Sequence, residues 1–166
     1  MGGLQITAAP INGSPLVNTG YHCFVDGSWD QLGEGGVGLV LLHDGRLVQW
    51  ASRSVRPLSA SQAEAMAVLE GVKILAQFSD TGGTVYSDSL DSVHSLSGGL
   101  PRITDWRSYT QTWEAWRLQR DSREDIQVKH CSREHEFLLI AHNLANQGRI
   151  CKRDRQGTQI ELMEVL

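Results

Sequence analysis

No stretch of this 166-residue chain approaches the roughly 18 consecutive apolar residues of a membrane-spanning helix. Its start, Met1 to Gly20, has no basic segment leading into an apolar run and a small-residue cleavage site. No membrane partner and no secretion are expected, and the expected location is intracellular. Cysteine is scarce: Cys23, Cys131 and Cys151 are an odd number at wide spacing, which suits neither a disulfide framework nor paired zinc ligands. They are expected to be ordinary reduced thiols. Net positive charge is also lacking, the formal charge being −4, which excludes a basic coat for indiscriminate nucleic-acid binding. The deficit is uneven. Residues 1–100 carry 4 Lys/Arg against 9 Asp/Glu, while residues 101–166 carry 11 against 10, so a phosphate-binding face is expected from the second part of the chain. Internal repeats and low-complexity tracts are absent as well. What remains, 40% hydrophobic and 20% charged residues over one domain's length, is a globular chain long enough to bury a core.

Residues 1–19, rich in Gly, Pro, Asn, Ser and Thr, read as a tail, residues 20–150 as the domain and 151–166 as a C-terminal extension. Within the domain, Tyr21 to Gly27, Val37 to His43 and Leu47 to Val55 read as three consecutive strands, the last two joined by the hairpin turn Asp44-Gly45. Ser59 to Phe78 repeats apolar residues at helical spacing behind possible serine caps. A short strand, Thr84 to Ser87, and a helix, Asp88 to Ser97, follow. Ile103 to Arg120 is the next helix, Ile126 to His130 a fifth strand, and Glu134 to Gly148 a final helix. This order predicts an α/β fold: a five-stranded mixed sheet, three strands as an antiparallel meander and two parallel, flanked by helices. The extension, basic at Lys152, Arg153 and Arg155 and then apolar-acidic, is open between an extra strand, a helix and the start of something further. Trp106, Trp113 and Trp116 share one side of the predicted helix, which suits core packing, with base or sugar stacking as the alternative.

Three carboxylates fall at element edges: Asp26 ending the first strand, Glu64 in the first turns of the long helix, Asp88 ending the fourth strand. If strands one and four are parallel neighbours, both aspartates emerge at one end of the sheet, and the helix between can return Glu64 toward them. Like charges gathered without a counter-ion repel and resist desolvation, so such a cluster implies bound cations. Hard oxygen ligands at the mouth of a sheet suit Mg²⁺, which takes its remaining ligands from water and a substrate phosphate.

The segments CFVDGSW (Cys23 to Trp29), SQAEAMAVLEGV (Ser61 to Val72), VYSDS (Val85 to Ser89) and VKHCSREH followed by AHNLA (Ala141 to Ala145) resemble ribonuclease H type 1. In wording they are similar to its plant reverse-transcriptase-like, retroelement-associated branch. The resemblance runs in order from about Tyr21 to Arg149. It implies that Asp26, Glu64 and Asp88 are catalytic metal ligands. The family's fourth acid sits in an ADxLA sequence on the last helix, and here that position is His142, which the resemblance makes the fourth metal ligand. Asn143 is an alternative donor. Imidazole suits Mn²⁺ better than Mg²⁺, so two ions are expected, Mg²⁺ or Mn²⁺, with the second bound weakly or as manganese. The resemblance also implies that His130, at the head of the loop to Glu136, assists product departure. Gly27 and Ser28 would let a sugar-phosphate chain approach, and Ser61 and Gln62 would touch the minor groove, although Ser61 stands where the family commonly has an amide. Only GGLPR separates two predicted helices where some relatives insert a basic helix.

The implied function is a two-metal endonuclease cutting the RNA strand of an RNA/DNA hybrid, with discrimination through 2′-hydroxyls and 5′-phosphate products. The expected setting is nuclear, as a monomer or as part of a retroelement polyprotein. Two other readings stand beside it: a nucleic-acid-binding module whose catalysis is weakened by His142, and a nuclease or binder of structured DNA such as a four-way junction.

Overall fold

The structure is a computed structural model and describes residues 18–122 and 125–158. Nearly all of the expected tail, and the apolar-acidic end of the chain, lie outside the described residues. The elements run β1 (Tyr21–Trp29), β2 (Gly35–His43), β3 (Arg46–Val55), α1 (Ala60–Phe78), β4 (Gly83–Ser87), α2 (Leu90–Ser95), α3 (Tyr109–Asp121), β5 (Ile126–His130), α4 (Glu136–Cys151) and β6 (Arg155–Gly157).

One mixed sheet has the strand order β5-β4-β1-β2-β3-β6. β1, β2 and β3 form the antiparallel meander, and β4 and β5 lie parallel to β1. Asp44 and Gly45 both have positive φ, 51° and 80°, as a tight primed hairpin turn requires. The sheet has six strands where the sequence predicts five. The sixth comes from the basic part of the extension: Arg155–Gly157 pairs antiparallel with Trp50–Ser52 and covers the edge of β3. Trp50 Nε1 fixes this strand by donating to the carbonyl of Thr158 at 2.8 Å. A three-residue strand carries too little periodicity to be seen in sequence.

Alternation along the strands splits the core into two layers. Cys23, Val25, Leu39, Leu41 and Ala51 pack with Val68, Val72 and Leu75 of α1. Phe24, Val40, Leu42, Trp50 and Tyr86 pack with Phe137, Leu138, Ala141 and Leu144 of α4. α1 starts at Ser59, whose Oγ accepts from the Gln62 N–H at 3.1 Å. α4 starts at His135, whose Nδ1 accepts from the Phe137 N–H at 3.2 Å, and ends at Lys152 in the left-handed conformation.

The predicted helix from Ile103 begins later, because Asp105 caps a single 3₁₀ turn, Trp106–Ser108, ahead of α3. That offset turns Trp106 outward. It is 71% exposed, with the Arg107 guanidinium over its ring, so the core-packing expectation fails there, while Trp113 and Trp116 are half-buried and edge-to-face. All three cysteines are free, Cys23 and Cys131 buried and Cys151 exposed. Among the described residues no helix is long and apolar enough to cross a membrane.

Candidate active site

The site forms where β1 and β4, parallel neighbours, both end. Asp26 lies on the α4 side of β1, one alternation beyond Phe24, and is 4% exposed. Asp88 follows β4 directly. Glu64 comes from the opposite side, in the second turn of α1, where the helix crosses β1 so closely that a Cβ on Gly27 would overlap the Ala63 carbonyl. Gly27 is therefore required by the α1 contact, whatever else it meets. Ligand oxygens of Asp26, Glu64 and Asp88 all lie within 4.8 Å of one another. They line a cavity of about 490 Å³ together with Gly27, Arg133, Glu134 and His142, over the apolar floor of Leu138 and Leu139.

α4 reaches this site because the end of β2 that it crosses carries glycine, not a side chain, at positions 36 and 38. Gly38 is the register partner of Asp26, and a Cβ there would overlap the Ala141 carbonyl; Gly36, two residues along, faces the Ala145 carbonyl in the same way. The close approach sets His142 Nδ1 2.7 Å from Asp26 Oδ2. It also places Asn146 one turn further against Ser28: the Ser28 hydroxyl donates to Asn146 Oδ1 at 2.8 Å, and Arg149 Nε donates to Ser28 Oγ at 2.8 Å. Asn146 Nδ2 lies 3.1 Å from His142 Nε2.

Burial raises the Asp26 carboxyl above its ordinary range, against the pull of the His142 hydrogen bond. Glu64 is raised well above its usual 4.5, first by burial and then by the charges of Asp26 and Asp88. In both the first cause is burial, and the neighbouring carboxylates add to it. Asp88 has a cationic partner in Arg133, whose Nε lies 3.4 Å from Asp88 Oδ2 while its side chain is 82% exposed. Glu64 Oε2 is buried and has no hydrogen-bond partner. An orphaned buried carboxylate oxygen facing two further carboxylates is what a hard divalent cation would satisfy, and the donor set fits Mg²⁺ or Mn²⁺.

Of the residues expected at the site, Asp26, Glu64, Asp88, His142 and Gly27 come together around the cavity. Ser28 is adjacent but committed to Asn146 and Arg149. His130 is exposed at the end of β5, in register with Ser87, and does not line the cavity. Gln62 is spent on internal bonds, accepting from the Leu58 N–H at 2.6 Å and donating to the Arg107 carbonyl at 2.7 Å, which ties the Trp106 turn to the start of α1. Ser61 is half-buried beside it. Asn143 is exposed, and the amide that reaches the imidazole is that of Asn146. Sequence reasoning missed Asn146, Arg149 and Arg133. The first two fall at i+4 and i+7 from His142, a spacing that could have been read.

The reverse-transcriptase-like family profile matches residues 24–148. Among solved structures, ribonuclease H1 from the archaeon Halobacterium salinarum NRC-1 superposes with a TM-score of 0.68 at 24% identity, covering 77% of this chain and 96% of that one. LC11-RNase H1 in complex with an RNA/DNA hybrid does so at 0.69 and 17%, covering 80% and 98%. The foamy viral protease-reverse transcriptase with an RNA/DNA hybrid does so at 0.61 and 17%, covering 88% of this chain and 22% of that one. No curated protein sequence matches. Profile and architecture agree that the chain belongs to the reverse-transcriptase-like family and has the ribonuclease H fold.

Proposed function

We propose that this chain is a divalent-cation-dependent endonuclease that hydrolyses the RNA strand of RNA/DNA hybrids, acting as the ribonuclease H domain of a retroelement. The observation that carries the reading is the buried, unpartnered Glu64 oxygen within a group of three carboxylates. The hybrid is the substrate class because relatives of the same fold bind one. The retroelement setting follows from the family, its plant origin from the wording of the motifs, and a nuclear location from that setting.

Asp26, Glu64 and Asp88 would hold the first ion, and a second would draw on Asp26 and on His142, whose Nε2 would exchange its Asn146 contact for the ion. Bound ions would supply activation of the attacking water and neutralisation of the phosphate at the leaving 3′ oxygen. The protein's own groups set the geometry. Arg133 stands at the rim where a phosphate would pass, and His130 at the head of the same loop would assist product departure. Gly27 and Ser28 border the strand end that the sugar-phosphate chain would cross, with Ser61 and Gln62 on its α1 side. Residues 20–150 make up the working domain, residues 1–19 precede it, and the 151–166 extension contributes β6.

The test is a panel of labelled substrates, namely RNA/DNA hybrid, double-stranded RNA, double-stranded DNA and a four-way junction, each with Mg²⁺ and Mn²⁺. Cleavage confined to the RNA strand of the hybrid, leaving 5′-phosphates, is the expected result. Metal-independent cleavage, or none of any substrate, overturns it. One observation favours a second reading, a nucleic-acid-binding module: His142 already has both ring nitrogens engaged. Tight hybrid or junction binding without cleavage in either metal would select that reading.

A further inference from the structure

The polar groups between α4 and β1 form one hydrogen-bonded chain whose direction is fixed from its far end. Arg149 has no acceptor, so its Nε–H must donate to Ser28 Oγ, at 2.8 Å. The Ser28 hydroxyl hydrogen is then free for Asn146 Oδ1, 2.8 Å away. With its oxygen turned to Ser28, Asn146 presents its Nδ2 hydrogens to His142 Nε2 at 3.1 Å. A nitrogen that accepts there carries no proton, so the proton of the neutral ring is on Nδ1, which faces Asp26 Oδ2 at 2.7 Å. The opposite amide orientation would set a protonated Nε2 against the amide oxygen. For a neutral ring that would leave a bare Nδ1 lone pair against a carboxylate oxygen, and only a ring protonated on both nitrogens would satisfy both contacts.

The spacing makes the chain self-consistent. Asp26, Ser28 and Asp30 are alternate residues on one side of β1 and its continuation, separated by about 6.8 Å per pair. His142, Asn146 and Arg149 are successive positions on one face of α4, separated by about 6 and 4.5 Å of rise. Arg149 closes the far end with its other nitrogens, NH1 lying 3.6 Å from Asp30 Oδ2.

We infer that Asn146 is a positioning residue: with Ser28 and Arg149 behind it, it holds His142 as the Nδ1–H tautomer and so fixes one oxygen of Asp26, leaving the other toward Glu64 and Asp88. This rests on the reading above only in taking Asp26, Glu64 and Asp88 as the cation site. The rest follows from the hydrogen bonds. Asn146→Asp keeps the acceptor for Ser28, loses the donor to His142 and adds a negative charge, so its ring spectrum reads the lost donor, while the uncharged Asn146→Leu is the variant whose Mn²⁺ affinity reads positioning. Ser28→Ala attacks the chain one link further back by freeing the amide to turn over.

The experiment is nitrogen-15 NMR of histidine-labelled, metal-free protein, with the His142 ring assigned by its loss in His142→Gln, alongside Mn²⁺ titration of each variant. The expected wild-type ring has a protonated Nδ1 and a bare Nε2. Asn146→Asp and Asn146→Leu should both remove that signature, Asn146→Leu should weaken Mn²⁺ binding about tenfold, and Ser28→Ala should move both readouts the same way by less. A wild-type ring protonated on Nε2 overturns the inference, as does an Asn146→Leu spectrum and Mn²⁺ affinity equal to wild type. Asp88→Asn keeps the two readings apart. If it binds Mn²⁺ as tightly as wild type, the cation site fails. If it loses Mn²⁺ while Asn146→Leu changes neither readout, the cation site stands and the positioning role fails.

Discussion

Two helices deliver polar side chains to the end of β1, and they do so in opposite states. α4 brings His142, Asn146 and Arg149, and each finds a partner on β1 or on its own helix. α1 brings Glu64, half-buried, with one buried oxygen unpartnered and its acidity suppressed. Both helices approach as closely as glycine permits, α1 across Gly27 and α4 across Gly36 and Gly38. The contrast therefore does not arise from loose packing on one side. On the α4 side the polar groups are partnered, and on the α1 side a buried carboxylate oxygen is left without a partner, which is where a bound cation would add most.

The largest effect is expected from the shared ligand that neither helix carries. Asp88→Asn keeps the shape and removes a hard oxygen charge, so hydrolysis of a hybrid should fall at least a hundredfold, about 2.7 kcal/mol of barrier, with hybrid binding nearly intact. A fall within about threefold breaks the assignment of all three acids. Binding itself should weaken steeply with salt, because a chain of net charge −4 must bind phosphates through local cations.

The next effect tests the close approach of α4. In Gly38→Ala the new methyl meets the Ala141 carbonyl, backbone against side chain, so helix or strand must shift. A destabilisation of about 1–3 kcal/mol is expected from such overpacking, measured by denaturant unfolding. Since Gly38 is opposite Asp26, the His142 contact should loosen in the same variant. A neutral substitution would mean that the helix position is set elsewhere.

His142→Asp sharpens the difference between orienting and ligating. With imidazole in place the protein should prefer Mn²⁺ over Mg²⁺, and a carboxylate at this position should narrow that preference several-fold. Cleavage rates against concentration of each metal decide it. Unchanged curves would leave His142 as an orienting group alone, and loss of activity in both metals would point to proton transfer by the imidazole.

Much of this was legible in the sequence because the site sits on regular elements. Alternation along Tyr21–Trp29 puts Asp26 on the face of Phe24, and two parallel strands ending together bring Asp88 beside it. What could not be read depends on tertiary distance. Gly36 and Gly38 are ordinary strand-edge glycines until a helix lies on them. Gln62 reads as an exposed minor-groove contact, yet the 3₁₀ turn that Asp105 starts gives it an internal partner at Arg107. Trp106 follows helical spacing in sequence and leaves it in space for the same reason.

The smallest effect concerns Glu64 in the absence of metal. Its folded acidity is shifted up from 4.5, so between that value and the folded one the native state keeps a proton that the unfolded chain has lost. Stability then decreases as pH rises through this window, since the slope follows the difference in bound protons, and the loss is complete above the folded value. Glu64→Gln removes the titration and can donate from its amide to Asp26 or Asp88. In EDTA it should therefore melt higher than wild type at pH 8, by about 3 °C for a chain of this size, and by much less at pH 4.5, where the wild-type glutamate is already largely neutral. The histidines His22 and His135, held by burial below their usual 6.5, act in the opposite sense as pH falls, but they are common to both proteins and cancel in the difference. Saturating Mn²⁺ should reverse the order, because the wild type gains a ligand to the ion that the glutamine cannot replace. If Glu64→Gln melts below wild type at pH 8 in EDTA, the orphaned oxygen is not under strain, and the contrast between the two helices is lost.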